Sequence, residues 1–231
     1  MLVGLTGGIA CGKSAVSKRL QLHETFLVVD LDEIARRVVL PGQAAYEKIV
    51  RHFGDEVVLP DGMLDREAIG TRIFSDHTAR RALNSATHMP ILWELLRDVA
   101  AAQSSSRVII LDAPLLFESS LHLLCDTTVV VHVAAEAQLQ RLQTRDSRSR
   151  DEAEQRVSAQ MPLAAKVSRA QHLVDNNGLP EATNRLVDEL ATRFEASATA
   201  WSVRRCCRHA LLFFVRTING WGWSASPGSG G

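Results

Sequence analysis

Short aliphatic and β-branched runs recur along the chain, each ending at or near a polar or turn-forming residue. Leu2-Val3-Gly4-Leu5-Thr6, Phe26 to Asp30, Val108 to Asp112 and Thr128 to Val133 are the clearest, and His172 to Asp175 is a weaker one. Runs this short and apolar, separated by helical-looking sequence, predict an α/β fold with a parallel sheet covered on both faces. Lys13 to Leu20 is helix-compatible, so the chain opens as strand, glycine-rich loop, helix. Sheets of this kind carry their chemistry at the carboxyl ends of the strands.

Between Ala44 and Ser104 the apolar spacing turns helical, in Tyr46 to Phe53, Asp65 to Phe74 and Ile91 to Ala102. Breaks are expected at Pro60-Asp61-Gly62 and at His88-Met89-Pro90, and the whole of 44–104 reads as a helical insertion between strands. Gln138 to Arg156 is a second helical stretch, carrying Arg141, Arg145, Arg148, Arg150 and Arg156, with a break at Ser147 to Ser149. It is either an arginine-bearing flap over a phosphate site or a solvated helical face. Leu179 to Ala200 predicts a final helix.

Composition sharpens this picture at the C-terminus. The 231 residues are 46% hydrophobic and 23% charged with zero formal charge, so one main globular domain is expected and a basic duplex-binding protein is not. The zero divides unevenly: residues 1–200 hold 22 basic and 26 acidic side chains, whereas residues 201–231 carry Arg204, Arg205, Arg208 and Arg216 and no acid. Three of the four Trp also fall in 201–231, which is expected to be a poorly ordered extension. Its apolar run, His209 to Val215, is far shorter than the roughly 20 residues a bilayer core needs. Membrane association of this extension is the less favoured expectation, and no nucleic-acid partner is expected. Cys11, Cys125, Cys206 and Cys207 form no CxxC pairing and no secretory signal is evident, so an intracellular, cytoplasmic setting is expected. An organellar or membrane-surface address in the extension stays open.

The strongest motif is Gly7-Gly8-Ile9-Ala10-Cys11-Gly12-Lys13-Ser14, which fits G-x-x-x-x-G-K-[ST] between a predicted strand and a predicted helix. Its glycines allow successive backbone N–H groups to point at phosphate oxygens, and the following helix adds its positive end. Lys13 suits the β- and γ-phosphates, and the Ser14 hydroxyl suits Mg²⁺. Cys11 contributes its backbone, although a helix-terminal setting tends to lower a thiol pKa.

The motif by itself implies only a nucleotide, so the acceptor side must come from other residues. Asp30-Leu31-Asp32 ends the second strand, and in an extended segment alternate carboxylates share a face. One carboxylate can take a hydroxyl proton while another helps hold Mg²⁺, and Asp32 is alternatively a helix N-cap. Asp112, at the end of another strand, is either a magnesium-linked acid or a turn residue. His88 either binds substrate or closes a helix. Asp175-Asn176-Asn177-Gly178 is a turn or a polar loop beside a base.

In order along residues 1–195, a set of segments resembles the dephospho-CoA kinase family, including eukaryotic dephospho-CoA kinase domain-containing proteins. The set is Leu5-Thr6-Gly7-Gly8-Ile9 with Gly12-Lys13-Ser14; Asp30 to Arg36; Pro41-Gly42; Ile73-Phe74; Thr87-His88; Leu111 to Glu118; Gln160 to Leu163 with Lys166; and Asp175 to Gly178. The resemblance implies a P-loop NTPase fold with a five-stranded parallel sheet flanked by helices, a helical substrate region and a lid over about 138–165. It implies ATP with Mg²⁺ as phosphoryl donor and the ribose 3′-hydroxyl of dephospho-CoA as acceptor. On it, Asp32, Lys13 and Arg145 are catalytic, and Gly7 to Ala15, Arg145, Arg150, Asn176 and Asn177 hold the nucleotide. Asp32, His88, Phe117 and Glu118 belong to the acceptor side and Ser14 to the metal, while Asp30 and Asp112 are expected at the metal from their strand-end positions. Two positions depart from the family: Ala15 replaces the usual Thr, and Met89 separates His88 from Pro90. Other expectations are a nucleoside or nucleotide kinase of the same fold and a non-catalytic nucleotide-binding adaptor.

Overall fold

The structure, a computed structural model, describes residues 1–102 and 108–198, apart from the side chains of residues 74 and 75. The extension 201–231, with the disorder expected of it and the less favoured membrane association, lies outside the described residues. In chain order the elements are β1 (Leu2–Gly7), α1 (Lys13–Leu20), β2 (Phe26–Asp30), α2 (Leu31–Arg37), α3 (Ala44–Phe53), α4 (Arg66–Ser75) and α5 (His77–Ala102), followed by β3 (Val108–Asp112), β4 (Thr127–His132), α6 (Ala135–Asp146), α7 (Arg150–Ser158), α8 (Leu163–Val167), β5 (His172–Asp175) and α9 (Pro180–Ser197). They divide into two compact units, Met1–Leu27 with Ser106–Gly231, and Val28–Ser105.

The five strands form one sheet in the order β2-β3-β1-β4-β5. β1 runs parallel to β3 and β4, and β4 parallel to β5. Every residue of β1 and β3 is buried, which is why both read as continuous apolar runs rather than alternating ones. Close packing here fixes residue size: a Cβ on Gly4 would lie 2.7 Å from Leu116 Cδ2. In the first unit α9 buries Thr183, Val187, Leu190, Ala191 and Phe194, a helical stripe on the helix that packs against α1 and β5. Arg19 of α1 clasps Asp188 of α9 through two hydrogen bonds of 2.8 and 2.6 Å.

The second unit has its own core of Ile49, Phe53, Val57, Leu64, Ile69, Ala79 and Ala86. Pro60-Asp61-Gly62 is the expected break. There the Leu59 amide donates to Met63 O, Gly62 takes a φ of +83°, and Val58 and Leu64 pair as an antiparallel bridge. His88-Met89-Pro90, by contrast, does not interrupt the helix: α5 runs unbroken for 26 residues with Pro90 inside it. An internal proline costs about 3 kcal/mol. Ala86 on one side and Leu92, Leu95 and Val99 on the other are all buried, and their packing outweighs the lost hydrogen bond.

Candidate active site

The phosphate loop sits between β1 and α1 and is braced from outside. Gly12 caps α1 with φ +88° and offers no side chain; its carbonyl accepts from the Ala15 and Val16 amides at 3.0 and 3.4 Å, and no side chain caps the Lys13 and Ser14 amides ahead of them. Ala10 also takes a positive φ, +60°. The brace comes from distant residues. Gln138 of α6, itself buried, donates Nε2 to Ile9 O at 2.9 Å, and the Ile9 amide donates to Gln160 Oε1 at 3.0 Å. Asn176 Nδ2 donates to Cys11 O at 2.9 Å. A Cβ on Gly12 would come within 2.1 Å of Asn176 Nδ2, and one on Gly8 within 2.6 Å of Gln138 Nε2, so a side chain at either position would push away an amide that braces the loop, and at Gly12 the positive φ adds backbone strain. This backbone cradle fits a polyphosphate.

Lys13 forms a salt bridge with Asp112, joining the loop to the end of β3. Asp112 is buried, so the pair is a largely desolvated contact between the expected phosphate cation and the expected metal-linked acid. Cys11 is fully buried, and burial pushes its thiol pKa up rather than down. The helix-terminal tendency toward a reactive thiolate is therefore overridden by desolvation.

The loop after β5 commits its side-chain amides to the protein. Beyond the contact to Cys11, Asn176 Oδ1 accepts from Thr183 Oγ1 at 2.9 Å and its carbonyl accepts from Arg141 at 2.9 Å. Asn177 Oδ1 accepts from the Ala134 amide at 2.7 Å, while Asp175 Oδ1 accepts both the backbone amide of Asn177, at 2.9 Å, and its side-chain amide.

The expected lid arginines lie on exposed faces. Arg145 pairs with Asp146 at 2.7 Å, and Arg150 pairs with Glu136 at 3.0 Å and Glu154 at 2.9 Å. These arginines hold the Asp146 and Glu136 carboxyls below the usual carboxylate range. The Ser149 capping box starts α7 after the expected break, with Ser147 in the left-handed region as the C-cap of α6.

Phe117 is buried in the core, with its ring centroid 5.1 Å from that of His122. Glu118 Oε1 accepts from Lys166 Nζ at 2.9 Å and from the Met161 amide at 3.1 Å. Lys166 is fully buried and also donates to Pro114 O at 2.8 Å. Glu118 Oε2 is buried with no hydrogen-bond partner among the described residues. A buried, charge-paired carboxylate with one open acceptor is costly unless something donates to it.

In the second unit, Asp30 and Asp32 do not share an extended face. Asp30 is the N-cap of α2: its Oδ1 accepts from the Asp32 amide at 2.8 Å and the Glu33 amide at 3.4 Å. Helix starts immediately after Asp30, so Asp32 belongs to the first turn and stands exposed, and the capping role considered for Asp32 falls to Asp30. His88 lies mid-helix in α5, where burial pushes its pKa below 6.5.

Among the described residues no three His, Cys, Asp or Glu side chains form a metal cage. Mg²⁺ characteristically takes one or two protein oxygens and completes its shell with water and phosphate, and within the first unit the Ser14 hydroxyl and the Asp112 carboxylate are oxygen donors of that kind. Sequence reasoning missed Gln138, Gln160 and the buried ammonium of Lys166 as site-building groups. Only the position of Gln160 and Lys166 in the family-like segment hinted at them.

A dephospho-CoA kinase family model matches residues 1–181. A dephospho-CoA kinase of Geobacter sulfurreducens is 44% identical over 84% of this chain and 98% of its own length. A dephospho-CoA kinase domain-containing protein of Danio rerio is 47% identical over 94% of this chain and 97% of its own. Among solved structures, TT1252 from Thermus thermophilus aligns with a TM-score of 0.72 at 29% identity, covering 84% of this chain and 97% of that one. With the phosphate loop, the strand-end acids and the arginine-bearing helices in family order, this chain belongs to the dephospho-CoA kinase family.

Proposed function

We propose that this chain transfers the γ-phosphoryl group of ATP, with Mg²⁺, to the ribose 3′-hydroxyl of dephospho-CoA, giving coenzyme A and ADP. The observation that carries this is the braced phosphate loop, with Lys13 held on Asp112, in a chain of this family. The bond from the 3′-oxygen to phosphorus forms, the bond from phosphorus to the ADP oxygen breaks, and the hydroxyl proton passes to Asp32. Loop amides other than those of Ile9 and Cys11, which are spent on Gln160 and on Gly8 O, stabilise charge on the phosphate oxygens together with the Lys13 ammonium. Ser14 and Asp112 would hold Mg²⁺, and Asp30 would assist through the oxygen it does not spend on capping. When bound, the ion supplies charge neutralisation between the phosphates.

Arg145 and Arg150 trade carboxylate partners for phosphate oxygens on this proposal, and Asn176 and Asn177 meet adenine through their backbone. Glu118 Oε2 accepts from the acceptor substrate, and Phe117 and His88 are assigned to the same substrate. Cys11 and Cys125 are both free thiols, which agrees with a reducing intracellular compartment such as the cytoplasm. No helix among the described residues is long and apolar enough to cross a membrane.

The test is product formation by the purified chain from ATP and dephospho-CoA, in competition with AMP and deoxynucleosides. The expected result is coenzyme A and ADP in equal amounts; transfer to AMP or a deoxynucleoside instead would overturn the assignment. Asp32→Asn is expected to lose about 10²–10⁴-fold in kcat while still binding ATP.

A further inference from the structure

Helix α2 carries two adjacent arginines with opposite fates. Arg37 pairs with Asp98, and with Glu94 at 3.2 Å, both on α5. Arg36 is exposed and joins no ion pair among the described residues. It nevertheless stands four residues after Asp32 and three after Glu33, the spacing and order at which carboxylates and arginines pair on helix surfaces. The scaffold beneath it is fixed: Asp30 caps the first turn, Ile34 is buried and Arg37 is clamped, so the helix face carrying Asp32 and Arg36 has a set orientation.

From this we infer that Arg36 binds the 5′-diphosphate of the acceptor whose 3′-hydroxyl Asp32 deprotonates. The inference rests on the proposed function and extends it to a specificity-determining residue. Four residues of helix rise by about 6 Å, which matches the short carbon path between the 3′-oxygen and the 5′-phosphate of one ribose. An acceptor laid along that face with its 3′-hydroxyl at Asp32 brings its diphosphate to the turn carrying Arg36. The diphosphate also arrives next to Asp32 and Glu33, whose charges repel it, and a cation one turn on offsets that repulsion. A planar guanidinium with five donors matches two bridged phosphate groups better than an ammonium does.

Arg36→Gln and Arg36→Lys in the full chain test the inference by steady-state kinetics with dephospho-CoA and ATP varied separately. For Arg36→Gln, KM for dephospho-CoA should rise at least about ten-fold, equivalent to about 1.4 kcal/mol. Its kcat and its KM for ATP should stay within about two-fold, and Arg36→Lys should recover part of the loss. Because the side chain is exposed and unpaired, the melting temperature should not move, which separates binding from folding. An unchanged KM for dephospho-CoA, or a loss confined to kcat, would overturn the role of Arg36. Asp32→Asn has the opposite signature, kcat lost with KM kept. Absence of any transfer to dephospho-CoA by the unsubstituted chain would instead remove the function on which the inference rests.

Discussion

Between Gly8 and Gly12 the backbone is gripped by Gln138, Gln160 and Asn176, whereas Arg145 and Arg150 are more than half exposed and grip only neighbouring carboxylates. Both regions are assigned to phosphate in the proposed function, yet they are built by opposite rules. Donors fixed in advance cost no reorganisation when charge arrives, and fixing them needs buried polar partners with every group satisfied. Exposed ion pairs contribute about 0–1 kcal/mol, so an arginine can leave one carboxylate for a phosphate with little loss. The boundary runs through a single helix: on α6, Gln138 and Leu142 are buried while Arg145 is not.

The contrast is tested most severely at Gly12. Gly12→Ala places a Cβ on Asn176 in a left-handed backbone, and it should lower ATP affinity at least about 100-fold with a clear fall in melting temperature. Isothermal titration and thermal denaturation would read both, and retained affinity would mean that the loop is not preformed. The double change Arg145→Gln with Arg150→Gln should do the reverse, leaving the melting temperature essentially unmoved while kcat falls about 10–100-fold. A large stability loss there would make these arginines structural and erase the contrast.

Asn176→Ala lies between the two. It strands the acceptor on Cys11, at about 1–3 kcal/mol, and leaves Thr183 Oγ1 only its 3.4 Å contact to Asp175 O; it should weaken ATP about ten-fold with KM for dephospho-CoA unaltered. The smallest effect concerns the second unit. Burial holds the folded-state pKa of His88 below its unfolded 6.5, so below pH 6.5 the unfolded chain takes up the extra proton. Stability should therefore decline as pH falls through that region and recover above it, and His88→Gln should flatten the slope.

The phosphate loop was readable because its information is local: eight consecutive residues state both the turn and the chemistry. The strands were readable for a similar reason, and β2, β3 and β5 match their apolar runs end to end, while β4 begins and ends one residue earlier than expected. The braces were not readable, since Gln138 reaches Ile9 and Asn176 reaches Cys11 across most of the chain, and nothing in a glutamine or asparagine announces its partner. Two local rules were overruled. Strand alternation failed at Asp32 because Asp30 had already started a helix, and the proline rule failed at Pro90 because buried neighbours on both sides hold α5 straight through.

The direct passage from β2 into α2 has a consequence for how this chain can change. No residue separates the last position of the strand from the first of the helix. Each residue of a helix advances its facing direction by about 100°. One residue inserted or deleted at this junction would swing Asp32 and Arg36 together to another side of the helix, even with both side chains intact. Length variation among functional descendants of this chain should therefore collect in the surface turns and spare the step from Asp30 to Leu31.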